Sequence, residues 1–393
     1  MRLVNEAELE GKRVLLRVDF NVPVKDGKVT DDTRIRSVLP TLRFLIDNRA
    51  RVIIIAHQGR PKGQGYERAH TLEPVAACLG GLLNKEVRLT HDVLGLQTTQ
   101  DVNDLPPGGV LMLENLRFDV REKENRPDFA RALANLADVY VDDAFAAVHR
   151  AHASIVGITE FLPSYSGFLL YREIETFNRM LERPERPFVA ILGGSKVSDK
   201  IKVLDALLEK VDALIIGGAM CFTLLAAQGY AVGASFKEDD WVAPAAKILE
   251  KSEQLGVQIL LPSDIVVASS MSETADTLIC PVSAIPEGMI GLDIGPATVE
   301  FYAQKIAEAR TVFWNGPMGV FEMDAFANGT RKIATAVAMN QKAVTIVGGG
   351  DSIAALNKFG YNDLVSFIST GGGAALELLE GATLPGIAAL EAD

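Results

Sequence analysis

Cysteine is scarce in this chain. Cys78, Cys221 and Cys280 are its only three in 393 residues, and they lie far apart in apolar surroundings, without the C-x-x-C spacing of a metal site or redox pair. Buried thiols in a reducing compartment are expected. Long apolar runs are also missing: none approaches the ~18 residues of a membrane span, and the opening MRLVNEAELEGKR lacks the continuous apolar core of a signal peptide. The expectation is a cytoplasmic protein with no membrane partner. Positive charge is in deficit, with 39 Lys and Arg against 51 Asp and Glu and a formal net charge of -12. That balance argues against nucleic acid or an anionic membrane as the main partner, so any anion site must be a local basic cluster. There is no low-complexity tract, and no repeat with a period of roughly 20 to 50 residues. G-x-x-x-x-G-K-[ST] and the protein-kinase motif set are absent, which rules out a P-loop enzyme and a protein kinase; the missing G-x-G-x-x-G disfavours a dinucleotide fold.

Hydrophobic residues make up 48% of the chain and charged residues 23%, enough for a large core under an ordinary surface. At roughly 100 to 200 residues per domain, the length predicts two domains. Strand-like runs alternate with helix-period stretches. The runs are Val14 to Val18, Arg51 to Ala56, Glu86 to Leu89, Val110 to Leu113 and Val139 to Val141, then Phe188 to Leu192, Ala213 to Ile216, Gln258 to Leu261, Thr311 to Trp314, Ala343 to Val347 and Val365 to Ile368. Helices are expected at Ile35 to Asn48, Lys200 to Lys210 and Ala243 to Leu255. This alternation predicts the α/β class, with two Rossmann-like lobes, each a mostly parallel sheet flanked by helices. A polar helix and two prolines between Tyr171 and Pro187 mark the joint and hinge. The expected lobes are residues 1–172 and 173–375, with a tail from about 376 to 393 packing on the first.

In a parallel sheet, ligands gather beyond the carboxyl ends of the strands. The first-half runs are followed by Asp19-Phe20-Asn21, by His57-Gln58-Gly59-Arg60, by Arg117 in ENLR, and by a loop ending in His149-Arg150; Arg34 opens a helix. Arg34, His57, Arg60, Arg117 and Arg150 are therefore expected to converge. Such like charges repel unless an anion holds them together, and arginine forks bind carboxylate or phosphate in pairs. Asp19 and Asn21 suit hydroxyl groups. His149-x-x-His152 has too few neighbouring ligands for a transition metal. Asp142-Asp143 is another possible ligand pair, though orienting the nearby arginines is its expected role.

In the second half, the run Ala343 to Val347 stops at Gly348-Gly349-Gly350, where Asp351 and Ser352 should open a helix. A helix N-terminus there offers free N–H groups to phosphate, and Asp351 is available to Mg²⁺. Leu192-Gly193-Gly194-Ser195-Lys196 leads towards Lys200; on a helix these lysines, four apart, would share a face against the macrodipole. Glycines at 217–218, 316, 319, 348–350 and 371–373 leave backbone open at several strand ends, which suits an adenine nucleotide, with Glu322 placed for ribose hydroxyls.

The segments RVDFNVP, HQGRPKG, LENLRF, DDAFAAVHRAHAS, ILGGSKVSDKI, WNGPMGVFE, VGGGDS and STGGGA, in this order over nearly the whole chain, resemble phosphoglycerate kinase. The resemblance implies a monomeric glycolytic enzyme that moves a phosphoryl group between 1,3-bisphosphoglycerate and ADP, giving 3-phosphoglycerate and ATP, with Mg²⁺ and domain closure. It implies that 3-phosphoglycerate is held by Asp19, Phe20, Asn21, Arg34, His57, Gln58, Gly59, Arg60, Arg117 and Arg150. ATP or ADP would be held by Lys200, Glu322, Gly349, Gly350, Asp351 and Ser352, with Asp351 on the metal. Arg34, Lys196, Lys200 and Gly371, Gly372 and Gly373 would face the phosphoryl group in flight. The acceptor is a carboxylate, so the reaction needs no general base. Ser195, Ser352 and Ala146 depart from the usual alanine, threonine and glycine of the family. A two-lobed anion-binding protein and an NAD-dependent dehydrogenase are the alternatives; the Lys196, Lys200 and Asp351 set disfavours the first, and the absent fingerprint the second.

Overall fold

The computed structural model describes residues 1–392. They form two compact units, Met1–Thr176 with the C-terminal segment from Thr383, and Phe177–Ala382. The division falls inside the helix Phe168–Glu182, within the Tyr171 to Pro187 stretch. Helix Gly373–Leu379 packs on helix Ile201–Leu207 of the second unit. The segment from Thr383, with the helix Pro385–Glu391, joins the first unit, where Gly386 N–H donates to Val148 O at 2.8 Å.

The first unit contains β1 (Arg13–Arg17), β2 (Val24–Lys25), β3 (Lys28–Val29), β4 (Arg51–Ile55), β5 (Arg88–Leu89), β6 (Val110–Met112), β7 (Val139–Asp142) and β8 (Ser164–Ser166). Six of these build one sheet in the order β5-β6-β4-β1-β7-β8, every pair parallel. β1, β4, β6 and β7 are almost wholly buried, which is why they read as unbroken apolar runs rather than alternating ones. β2 and β3 form a hairpin across Asp26-Gly27, both at positive φ, the turn that Asp-Gly favours.

The second unit contains β9 (Phe188–Leu192), β10 (Ala213–Ile216), β11 (Gln258–Leu260), β12 (Asp264–Ala268), β13 (Thr277–Pro281), β14 (Ile290–Ile294), β15 (Thr311–Asn315), β16 (Val344–Gly348) and β17 (Phe367–Ser369). Its six-stranded sheet runs β11-β10-β9-β15-β16-β17, again parallel throughout. The α/β class and the parallel sheets agree with the sequence reading. The antiparallel sheet β13-β12-β14 does not appear in that reading. β13 is largely exposed, Leu278 and Ile279 included, β12 is only partly buried, and the buried β14 is interrupted by Gly291 and Asp293, so neither a continuous apolar run nor clean alternation marks them.

Each parallel sheet reverses its winding once, between β1 and β7 in the first unit and between β9 and β15 in the second. Loops part on opposite faces at such a point and leave a crevice beyond the strand ends. The loops there are those carrying Asp19 and Asp143 in one unit, and Gly193 to Lys200 and Gly316 to Gly319 in the other.

Candidate active site

In the first unit Asp19, Asn21, Arg34, Gly59 and Arg117, of the predicted residues, meet beyond the ends of β1, β4 and β6. Arg34 Nη1 donates to Asp19 Oδ2 at 2.7 Å and to Asn21 O at 3.1 Å. Asn21 Oδ1 in turn accepts from Gly59 N–H at 2.9 Å, and Arg117 Nη1 donates to Gly59 O at 2.9 Å. Gln58 clamps Val22 through both of its amide atoms. Gly59 has φ +62° and lies against the His70 ring, so no side chain fits there. The Phe20 side chain belongs to the core, leaving its backbone as the part near this edge. Arg60 and Arg150 are exposed, and Arg150 Nε donates to His149 Nε2 at 3.0 Å.

Charge is concentrated here. Burial, then the charges of Arg17 and Arg150, push the Arg117 guanidinium down to about 10. Burial, then Arg17, Arg117, His152 and Arg34, holds His57 well below the ordinary imidazole value, so the ring is neutral at pH 7. Arg17 Nη2 lies 3.1 Å from His57 Nδ1. A guanidinium cannot accept, so Nδ1 is the acceptor and the proton sits on Nε2.

Arg17 is a residue that sequence reasoning passed over. It is fully buried, its Nη1 bonds Val18 O, and its Nε donates to Ser154 Oγ at 2.9 Å. Ser154 Oγ donates onward to Glu122 Oε1 at 2.6 Å. His152 Nδ1 stands 3.7 Å from the same carboxylate; burial first, then the surrounding arginines, lower this ring to about 3, so the contact is not an ion pair at neutral pH. Glu122 is balanced by Arg17 instead. The signal was an arginine inside the run Val14 to Val18, which only a buried counter-charge explains. Arg17→Met should therefore cost about 3 kcal/mol of unfolding free energy in urea, and adding Glu122→Gln should recover part of the loss. Additive losses would show that the two charges do not balance each other.

Asp142 and Asp143 do not orient the arginines by hydrogen bonds. Both are fully buried; Asp142 Oδ1 accepts from Ala144 N–H at 2.9 Å and Asp143 Oδ1 from Leu170 N–H at 3.0 Å. Burial raises them to about 6 and about 7. They secure loop backbone.

In the second unit, Lys196 and Lys200 do not share a helix face, because the helix begins at Ile201, with Lys200 at its N-cap. The residues before it form a glycine-led turn pinned by Glu238, which accepts from Ser198 N–H at 2.9 Å and Ser198 Oγ at 2.5 Å. The macrodipole argument therefore does not apply to Lys196. Lys200 Nζ donates to Gly193 O at 2.6 Å and Asn315 O at 2.8 Å, bridging the ends of β9 and β15. Burial lowers this ammonium to about 8, against the pull of Asp351 and Asp199. Gly218, at φ +64°, makes the close packing possible: a Cβ there would lie 2.5 Å from Gly194 N. Several of the glycines thus fit strand ends together instead of standing open.

A cavity of about 480 Å³ lies beside these loops, a suitable volume for a nucleotide. Lys196, Glu322 and Asp351 line it; Lys200, Gly349, Gly350, Ser352 and Gly371 to Gly373 do not. Its apolar walls come largely from residues the sequence reading omitted, among them Phe222, Ile265 and Leu292, the last two on the unread antiparallel sheet. Helix Gly350–Phe359 starts at the cavity, as expected, with Asp351 exposed in its first turn. Ser352 is fully buried and its Oγ accepts from Gly316 N–H at 2.5 Å, so its hydroxyl serves the loop. Gly371 N–H donates to Ser369 Oγ at 3.2 Å just before helix Gly373–Leu379.

An arginine-rich cationic cluster in one unit and a cavity rimmed by lysine and aspartate in the other suit a phosphotransferase. The chain matches the family model for phosphoglycerate kinase over residues 4–382. It is 54% identical over 387 residues to a phosphoglycerate kinase of Moorella thermoacetica, covering 98% of each chain. Its fold is similar to the phosphoglycerate kinase structure from Coxiella burnetii (TM-score 0.90, 43% identity, 99% of this chain and 98% of that one). It is also similar to that from Pyrococcus horikoshii (TM-score 0.87, 34% identity, 100% and 98%). The chain belongs to the phosphoglycerate kinase family. Its activity is ATP/ADP-dependent phosphoryl transfer with a carboxyl group as acceptor.

Proposed function

We propose that the first-unit cluster holds 3-phosphoglycerate or 1,3-bisphosphoglycerate and that the second-unit cavity holds ADP or ATP. The observation that carries this reading is the convergence of Arg17, Arg34, Arg117 and His57 on one sheet edge of an acidic chain, where burial first, then Arg17 and its neighbours, depress both Arg117 and His57. Arg34, Arg60, Arg117 and Arg150 bind the phosphate and carboxylate; His57 Nε2–H, Asp19 and Asn21 serve the remaining oxygens. Lys196 and Lys200 neutralise the transferred group, together with the backbone N–H groups of Gly372 and Gly373, that of Gly371 being held by Ser369 Oγ. Glu322 takes the ribose hydroxyls, and Gly349 to Ser352 shape the loop beside the phosphates.

Mg²⁺ suits the donor set present. Asp351 is an exposed carboxylate on the cavity rim, and Mg²⁺ commonly takes one or two carboxylates with substrate phosphates and water. Asp351 would hold it, and the ion supplies charge neutralisation on the phosphate oxygens. The protein's own contribution is alignment and electrostatic stabilisation, which closure of the two units on their substrates completes by excluding water. Three free thiols agree with a reducing, cytoplasmic setting, and no helix among the described residues is long and apolar enough to cross a membrane. We read the enzyme as a monomer.

The test is transfer from ATP to 3-phosphoglycerate, coupled to removal of the acyl phosphate. Chelation of divalent cations should lower the rate on the order of a hundredfold or more, with recovery on adding Mg²⁺. A rate indifferent to chelator would remove Asp351 from its assigned role.

A further inference from the structure

Lys358 is seven residues after Asp351, two turns along helix Gly350–Phe359, and so lies on the same face. Its Nζ donates to Phe321 O at 2.9 Å, Glu322 O at 3.2 Å and Asp324 Oδ1 at 3.0 Å. All three ammonium donors are thus used on one short segment. That segment lies beyond β15 and contains Glu322, while its earlier part, Pro317 to Val320, walls the cavity. The helix is tied to the same stretch at its other end, where Ser352 Oγ accepts from Gly316 N–H at 2.5 Å. Helix and loop are therefore stapled at two points, Asp351 standing next to the first and Glu322 at the second, both on the cavity rim.

We infer that Lys358 is a positioning residue for the nucleotide, fixing the Glu322 segment against the helix that carries Asp351. The ion pair with Asp324 does not carry the inference, because that carboxylate is exposed and surface pairs contribute little. The two backbone carbonyls do. A charge-assisted bond to a main-chain carbonyl fixes the chain itself, whatever the neighbouring side chains do. Without it, Glu322 would sample positions away from the ribose, and the nucleotide would have to order the loop on binding.

The inference rests on the proposed contact of Glu322 with the nucleotide, and the experiment keeps the two apart. In Lys358→Met the KM for ADP should rise about tenfold, while kcat at saturating ADP and the KM for 1,3-bisphosphoglycerate stay within about twofold. Lys358→Arg should restore most of the ADP affinity. Combined with Glu322→Gln, the Lys358→Met effect should largely vanish, because both changes interrupt one interaction. Equal losses for both substrates, or a lowered urea midpoint with unchanged KM for ADP, would make Lys358 merely structural and overturn the inference. Additive effects in the double variant would do the same while leaving the Glu322 contact intact. A silent Glu322→Gln would sink both.

Discussion

Lys200→Met should lower kcat by about a thousandfold without unfolding the protein. Methionine keeps the length of the side chain, so the loss reports the ammonium. That ammonium joins Gly193 O to Asn315 O at the reversal point of the second sheet, and in the proposed function its third donor serves the transferred phosphoryl group. Removing one fixed donor or cation from such a site typically costs a factor of about a hundred to a thousand. A pH signature accompanies the loss. Burial lowers Lys200 to about 8, so the native enzyme carries this charge at pH 7 and sheds it as pH rises through about 8. The kcat/KM for ADP should fall along that limb, because it reports the free enzyme. In kcat the limb should move to higher pH, since bound phosphate favours the charged form. Steady-state rates from pH 6 to 10 in a constant-ionic-strength buffer would read both. A flat kcat/KM profile would remove Lys200 from the reaction.

Arg34→Ala should lower kcat/KM for 3-phosphoglycerate by at least about a thousandfold, the scale on which arginines act in phosphoryl transfer. Two charges change at once: the guanidinium disappears, and Asp19, its partner at 2.7 Å, is left as a bare carboxylate facing an anionic substrate. Adding Asp19→Asn should therefore recover part of the loss. Arg34→Lys should recover less than its charge suggests, because a point-charge ammonium cannot serve Asp19, Asn21 O and the substrate through one planar fork. Coupled-assay kinetics across the four variants measure this. A double variant as poor as the product of the two single losses would contradict the charge argument.

Much of this was legible in the chain. The buried strands Phe188–Leu192 and Ala213–Ile216 have the bounds their apolar runs predict, because a parallel strand buried on both faces admits nothing else. Residues immediately after such runs, including Asp19, His57 and Gly193, follow onto the sheet edge by geometry alone. What was not legible depends on tertiary context. Glycine-led turns resemble helix starts in sequence, which misplaced Lys196 and Lys200 on one face; Glu238, forty residues beyond Ser198, holds the turn instead. The strand Ser164–Ser166 is too short and polar to announce itself. Arg17 stands in its strand run with nothing in the sequence to point to its partners, and only the approach of Ser154, 137 residues away, and of His57 shows what it supports.

The measurement that tests the central claim most directly is isothermal titration of ADP and of 3-phosphoglycerate into native, Arg34→Ala and Lys200→Met protein. The account predicts a crossed pattern, in which Arg34→Ala loses 3-phosphoglycerate binding but keeps ADP, and Lys200→Met weakens ADP but keeps 3-phosphoglycerate. Loss of both ligands in either folded variant, or of the opposite ligand, would contradict the assignment of one substrate to each unit.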